Sequence, residues 1–226
     1  MSVLKLIGVL MDYPPDELWQ HRDELLGACN APELSPRRRQ DLRAFVGQLL
    51  DTDSLVAQDE WLSLFDRGRS MSLLLFEHIH GESRDRGQAM VDLINNYRKN
   101  GFELAAKELP DYLPLLLEYL SLQPAEQVHD WLHHINHIVG LLAARAGERN
   151  SPYATLFEIL VELSEGKLDI EVFRQRVAAE PLDNTPEFMD QVWEEEAVRF
   201  GNDAPDTGCS PTGHSSTRAI AGQVQS

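Results

Sequence analysis

Ser35-Pro36-Arg37-Arg38-Arg39-Gln40-Asp41-Leu42-Arg43-Ala44-Phe45-Val46-Gly47-Gln48-Leu49-Leu50 decides the fold class. Leu42, Phe45, Val46, Leu49 and Leu50 follow the i, i+3, i+4, i+7, i+8 spacing that gathers apolar side chains on one face of an α-helix. Ser35 offers an N-cap oxygen, and Pro36 suits the first helical position, where its missing N–H is no loss. The same start recurs at Ser151-Pro152 and Thr185-Pro186. With no alternating Val/Ile/Thr runs of strand type, these starts predict an all-α protein.

Outward from this segment, helical periodicity predicts a first core helix over residues 1–11. Further helices are expected over 16–29, 53–65, 72–80, 83–100, 111–122, 125–146, 152–164, 169–180 and 186–200. Gly101, Gly166 and Gly201 fall just past expected helix ends, where a left-handed residue is wanted. Short connections favour antiparallel neighbours in a single globular domain of about ten helices spanning residues 1–201. From Asn202 the chain becomes rich in Gly, Ser, Thr and Pro, too polar to offset its ordering entropy, so 202–226 is expected to be a disordered tail.

Of the 226 residues, 42% are hydrophobic and 25% charged, a soluble globular composition. No apolar run reaches the roughly 18–20 residues of a membrane span. Residues 1–11 lack a basic leader and a small-residue cleavage site, so they read as core helix rather than signal peptide. Cys29 and Cys209 are far apart, which argues against a disulfide framework and for the cytoplasm. A net charge of −17 excludes nucleic acid, whose phosphates need a basic face, and suits a cationic partner.

Between Phe65 and Tyr97 the apolar run Leu73-Leu74-Leu75-Phe76 adjoins Glu77, His78, His80, Glu82, Arg84 and Asp85, more polar chemistry than packing alone needs. A metal-dependent hydrolase using His78, His80 and Asp85 is one reading. Its spacing is poor, because residues two apart on a helix point about 200° away from each other, and His-Glu-x-x-His is absent. Gly81 and Gly87 bracket Glu-Ser-Arg-Asp-Arg without the Gly-Lys-Ser/Thr of a phosphate loop, and Ser83 suits a helix cap. His129, His133 and His137 form a stripe on the wet side of an amphipathic helix. Trp193-Glu194-Glu195-Glu196 reads as a solvated acidic face.

A second block runs from Glu108 through Pro110-Asp111-Tyr112-Leu113-Pro114 to Leu120. Asp111 is placed as an N-cap, with Leu113, Leu116, Leu117 and Leu120 as the buried stripe. Glu108 and Tyr112 are left over, and together they suit a guanidinium or ammonium group on a peptide.

Leu10-Met11-Asp12-Tyr13-Pro14, Leu64-Phe65-Asp66-Arg67-Gly68-Arg69, the Glu77 to Gly87 core, the Glu108 to Leu120 block and Val192 to Glu196 together resemble the NarJ group of nitrate reductase assembly chaperones, within the TorD/DmsD-like family. Proteins of this group are all-α, cytoplasmic and non-catalytic. The resemblance implies a client, the catalytic α subunit of a membrane-anchored nitrate reductase, bound at its N-terminal signal-like segment. The chaperone keeps the apo-enzyme open for insertion of the molybdenum cofactor and iron–sulfur clusters and delays membrane docking. It holds no permanent cofactor or metal, and cofactor-delivery proteins are further partners. The wider family often carries Asp-His where this chain has Asp111-Tyr112, and the histidine stripe is not a family feature.

These readings combine into an expected partner site. Leu73, Leu74, Phe76, Tyr112 and Leu116 line a groove for a client helix, with His78 and His80 beside it, while Glu77, Glu82, Glu108 and Asp111 fix its positive end. Arg67, Arg84 and Arg86, with Asp85, brace these carboxylates. A generic peptide-binding scaffold is the remaining alternative.

Overall fold

A computed structural model describes residues 1–80, 85–105, 108–165, 168, 170–180, 183 and 185, without the side chains of His80 and Ile170. Its α-helices are α1 Ser2–Met11, α2 Arg22–Ala28, α3 Pro36–Asp51, α4 Ser54–Phe65, α5 Leu75–His80, α6 Asp85–Lys99, α7 Leu113–Ser121, α8 Ala125–Glu148, α9 Ala154–Leu163 and α10 Ile170–Val177. Among the described residues the β-structure is one isolated antiparallel bridge, Leu74 to Tyr112. The fold is all-α.

α3 forms as its spacing requires, with Ser35 Oγ accepting the Arg38 N–H at 3.3 Å and Leu42, Phe45, Val46, Leu49 and Leu50 buried. Asp53 caps α4 by accepting the Leu55 N–H at 3.0 Å. α8, 24 residues and about 36 Å long, carries α9 and α10 along its flanks, and α1 packs on α7. The α1–α7 contact is close because Gly8 has no side chain; a Cβ there would stand 3.0 Å from the Pro114 carbonyl oxygen. Phe65 and Tyr153 meet edge to face at 5.1 Å, with Phe45 and Phe157 completing an aromatic cluster under α3, α4 and α9.

Several expected boundaries shift, each for a local reason. The helix expected over 16–29 is a 3-10 turn, Asp16–His21, followed by α2. Pro14-Pro15 starts the chain extended, and the Trp19 indole N–H ties the turn to the Thr52 carbonyl at 3.0 Å. The helix expected from residue 72 starts at Leu75, because Leu73 O accepts the Leu113 N–H at 2.9 Å and Asp111 O accepts the Leu75 N–H at 3.0 Å. That pairing also delays α7 to Leu113. Ser151 Oγ accepts the Tyr153 N–H at 3.3 Å in a turn, so α9 begins at Ala154. Gly101 takes the expected left-handed conformation, φ 74°, after α6. The expected helix 186–200, Ser83, Gly166, Gly201, Trp193 to Glu196 and the tail lie outside the described residues.

Candidate functional site

The extended pair that delays α5 and α7 also builds the site. Asp111 is 0% exposed. It was expected to cap its own helix, yet its Oδ2 accepts the N–H of Phe76, 3.1 Å away at the start of α5, so each block supplies the other's backbone partners. α7 starts at Leu113 with Tyr112 in the N-cap position, so Asp111 stands one residue ahead of the place from which it could cap that helix. Burial pushes its carboxyl above the usual range, against the Phe76 N–H and the Arg86 charge, with the Glu77 charge adding to the rise. Its Oδ1 has no hydrogen-bond partner.

Arg86, on α6, reaches across this junction to Glu77 Oε1 at 3.4 Å and lies 3.9 Å from Asp111 Oδ2, so it braces both carboxylates. Arg67 is engaged elsewhere, folding back along α4 to Asp59 at 3.0 Å. Tyr112 Oη donates to Asp12 Oδ1 at 2.8 Å at the end of α1. Beneath, the buried Tyr97 phenol donates to the Pro110 carbonyl at 2.8 Å. His78 Nε2 sits 2.8 Å from the Ser72 carbonyl, which can only accept, so this nitrogen carries the proton. Burial lowers the His78 pKa, opposed by that hydrogen bond, and the Arg145 charge lowers it further.

Of the expected groove residues, Leu74, Phe76 and Tyr112 are half-buried, whereas Leu73 and Leu116 lie in the core at 4% and 0% exposure. Glu77 is half-buried beside them. Glu108 is exposed and turns back to accept the Ala105 N–H at 3.1 Å. Asp85 is exposed at the start of α6; Glu82, Arg84 and the His80 side chain lie outside the described residues. Leu73, Leu116 and Asp111 therefore support the junction from below, while Leu74, Phe76, Glu77 and Tyr112 reach its surface. A separate cleft of about 220 Å³, lined by Ile94, Arg98, Phe102, Glu103 and Leu104, includes none of these residues.

On α8, His133, His134 and His137 are exposed, and His129 lies 3.2 Å from the Leu163 carbonyl. Among the described residues no group of three or more His, Cys, Asp or Glu side chains is placed to hold a metal ion. Sequence reasoning missed two features. One is the Asp12–Tyr112 bond, which accounts for two of the quoted blocks at once. The other is Arg145 and Arg149, one turn apart at the C-terminal end of α8, where guanidiniums at 13% and 9% exposure need buried partners. Two arginines inside Gly-Leu-Leu-Ala-Ala-Arg-Ala-Gly-Glu-Arg were the available signal.

A protein-family model described as nitrate reductase delta subunit matches residues 31–158. The chain is 44% identical to the nitrate reductase molybdenum cofactor assembly chaperone NarJ of Escherichia coli (strain K12) over 228 residues, 99% of this chain and 94% of that protein. It is 45% identical to the probable nitrate reductase molybdenum cofactor assembly chaperone NarW of the same strain over 205 residues, 90% of this chain and 85% of that protein. Against the probable NarJ of Bacillus subtilis (strain 168) identity is 33% over 107 residues, 47% of this chain and 58% of that protein. A family match across the centre of the chain and identity along nearly its full length agree: the chain belongs to the nitrate reductase delta subunit family, as a NarJ-type member.

Proposed function

We propose that this chain is an assembly chaperone that acts in the cytoplasm on the apo catalytic subunit of a respiratory nitrate reductase. It binds the client's N-terminal signal-like segment and holds the subunit open while the molybdenum cofactor and iron–sulfur clusters are inserted, before membrane docking. The observation that carries this reading is 44% identity over 99% of the chain to a relative named a nitrate reductase molybdenum cofactor assembly chaperone. The role is binding rather than catalysis, and the cofactors pass to the client rather than residing here.

The site supports the reading physically. Leu74, Phe76 and Tyr112 offer partly exposed apolar surface, and Glu77 a carboxylate, on a chain whose net charge of −17 draws in basic segments. Among the described residues no helix is long and apolar enough to cross a membrane.

Calorimetric titration with a synthetic peptide covering the N-terminus of the nitrate reductase catalytic subunit from the same genome tests the proposal. Saturable one-to-one binding, lost with a scrambled peptide and weakened about tenfold by Phe76→Ala, is the expected result. Binding of wild-type strength in Phe76→Ala moves the contact away from this junction. No binding of either the peptide or the apo-subunit refutes the chaperone role.

A further inference from the structure

Behind the junction, on the loop that follows α4, a second polar centre is assembled. Four polar contacts converge on Ser70 and Asp183. The Ser70 N–H donates to Asp183 Oδ2 at 2.7 Å, and Ser70 Oγ donates to Asp183 Oδ1 at 2.6 Å. Arg149 Nη2 reaches that same Oδ1 at 2.9 Å and donates to Ser70 Oγ at 2.8 Å. Gly68 leaves room for the carboxylate, since a Cβ there would lie 2.8 Å from it. One turn earlier on α8, Arg145 holds Glu180 with two bonds, 2.8 and 3.1 Å, and donates to the Ser70 carbonyl at 2.8 Å.

We infer that Ser70, Arg145 and Arg149 form a phosphate-binding pocket, which the chain's own Asp183 and Glu180 carboxylates fill and which a phosphate group can take over. The Ser70 N–H and hydroxyl and the Arg149 guanidinium converge on one carboxylate, with the Arg145 fork beside them on Glu180, and such donors together suit a tetrahedral oxyanion. The pocket is one donor in excess for the carboxylates it holds: Arg149 Nε is buried without a hydrogen-bond partner, on a side chain only 9% exposed. A phosphate brings more oxygens than a carboxylate and can satisfy it. Asp183 is held ionised below the usual carboxylate range, its burial outweighed by the Ser70 and Arg149 bonds, as an anion in an anion pocket should be.

The inference is independent of the nitrate reductase reading, and its test needs no client. The full chain and its Glu180→Gln/Asp183→Asn variant are titrated calorimetrically with inorganic phosphate and with glycerol phosphate at fixed ionic strength. One-to-one binding to the variant, about tenfold tighter than to the parent chain and lost when Arg149→Gln is added, is expected. Preference for glycerol phosphate identifies a phosphate ester as the ligand, and equal affinity identifies the free anion. A folded variant that binds neither, or binding that survives Arg149→Gln, overturns the inference. Should the variant not fold, amide spectra of the parent chain decide: the Ser70 and Gly68 resonances shift saturably with millimolar phosphate, and unmoved resonances overturn it equally.

Discussion

The phenol of Tyr112 donates to the carboxylate of Asp12 at 2.8 Å, joining the end of α1 to the start of α7 across 100 residues of sequence. Nearby, Trp61 Nε1 donates to the Met11 carbonyl at 2.9 Å, so the Leu-Met-Asp-Tyr-Pro block is held from two sides. Tyr112→Phe keeps the ring and removes the bond, and is expected to lower stability by about 1–2 kcal/mol in urea denaturation. Asp12→Asn should cost less, and the double variant no more than Tyr112→Phe alone; additive losses would show that the two do not act as a pair.

Burial, together with neighbouring negative charge, holds the phenols of Tyr97, Tyr112 and Tyr153 above the ordinary tyrosine range. The unfolded chain ionises them near pH 10 and the folded chain does not, so it is the unfolded state that loses protons first. Stability should be full below about pH 10 and fall steeply above it. Tyr97→Phe should flatten that fall in a pH series of melting temperatures; an unchanged alkaline slope would contradict the assignment.

Asp111 works in the opposite sense to a surface carboxylate. Its folded pKa is raised, so its contribution is full below the unfolded value near 4 and declines as pH rises through the folded value. Asp111→Asn retains an oxygen for the Phe76 N–H without a buried charge, and should equal or exceed the parent in stability at pH 7. Asp111→Ala orphans that N–H and should cost about 1–3 kcal/mol. Equal losses in the two variants would exclude the capping role.

Asp183 has a lowered pKa, so its contribution is present above about pH 4 and lost as pH falls through the folded value. With Arg149 at 9% and Asp183 at 12% exposure, Asp183→Asn should cost about 3 kcal/mol at pH 7, and the gap should close in acid. A gap that stays constant down to pH 3 would show that the ion pair is not its source.

Leu116, fully buried beneath the junction, should cost about 2–5 kcal/mol when replaced by Ala. A peptide affinity that falls no further than the folded fraction would confirm that it supports the site without touching the partner.

The fold class was legible because α3 carries an uninterrupted helical period opened by the Ser35 cap, and α8 a long period of its own. What the sequence concealed is non-local. Nothing in Ser72-Leu73-Leu74 announces an extended pair, since its cause is Leu113 and Asp111 far along the chain. The Asp111 misreading has the same origin, a local capping pattern overridden by a distant N–H. Periodicity likewise separates buried from exposed leucines only coarsely, which is why Leu74 and Leu116 were grouped although one reaches solvent and the other does not.

The Leu74–Tyr112 bridge makes the chain between those residues a closed excursion, anchored at its base by backbone bonds and along its length through Leu93 and Tyr97. Because the entropy of closing such an excursion grows only with the logarithm of its length, residues can be added after Gly101, past the end of α6, at small cost. A single protease cut in the excursion should leave two pieces that copurify, parting only when denaturant melts the junction.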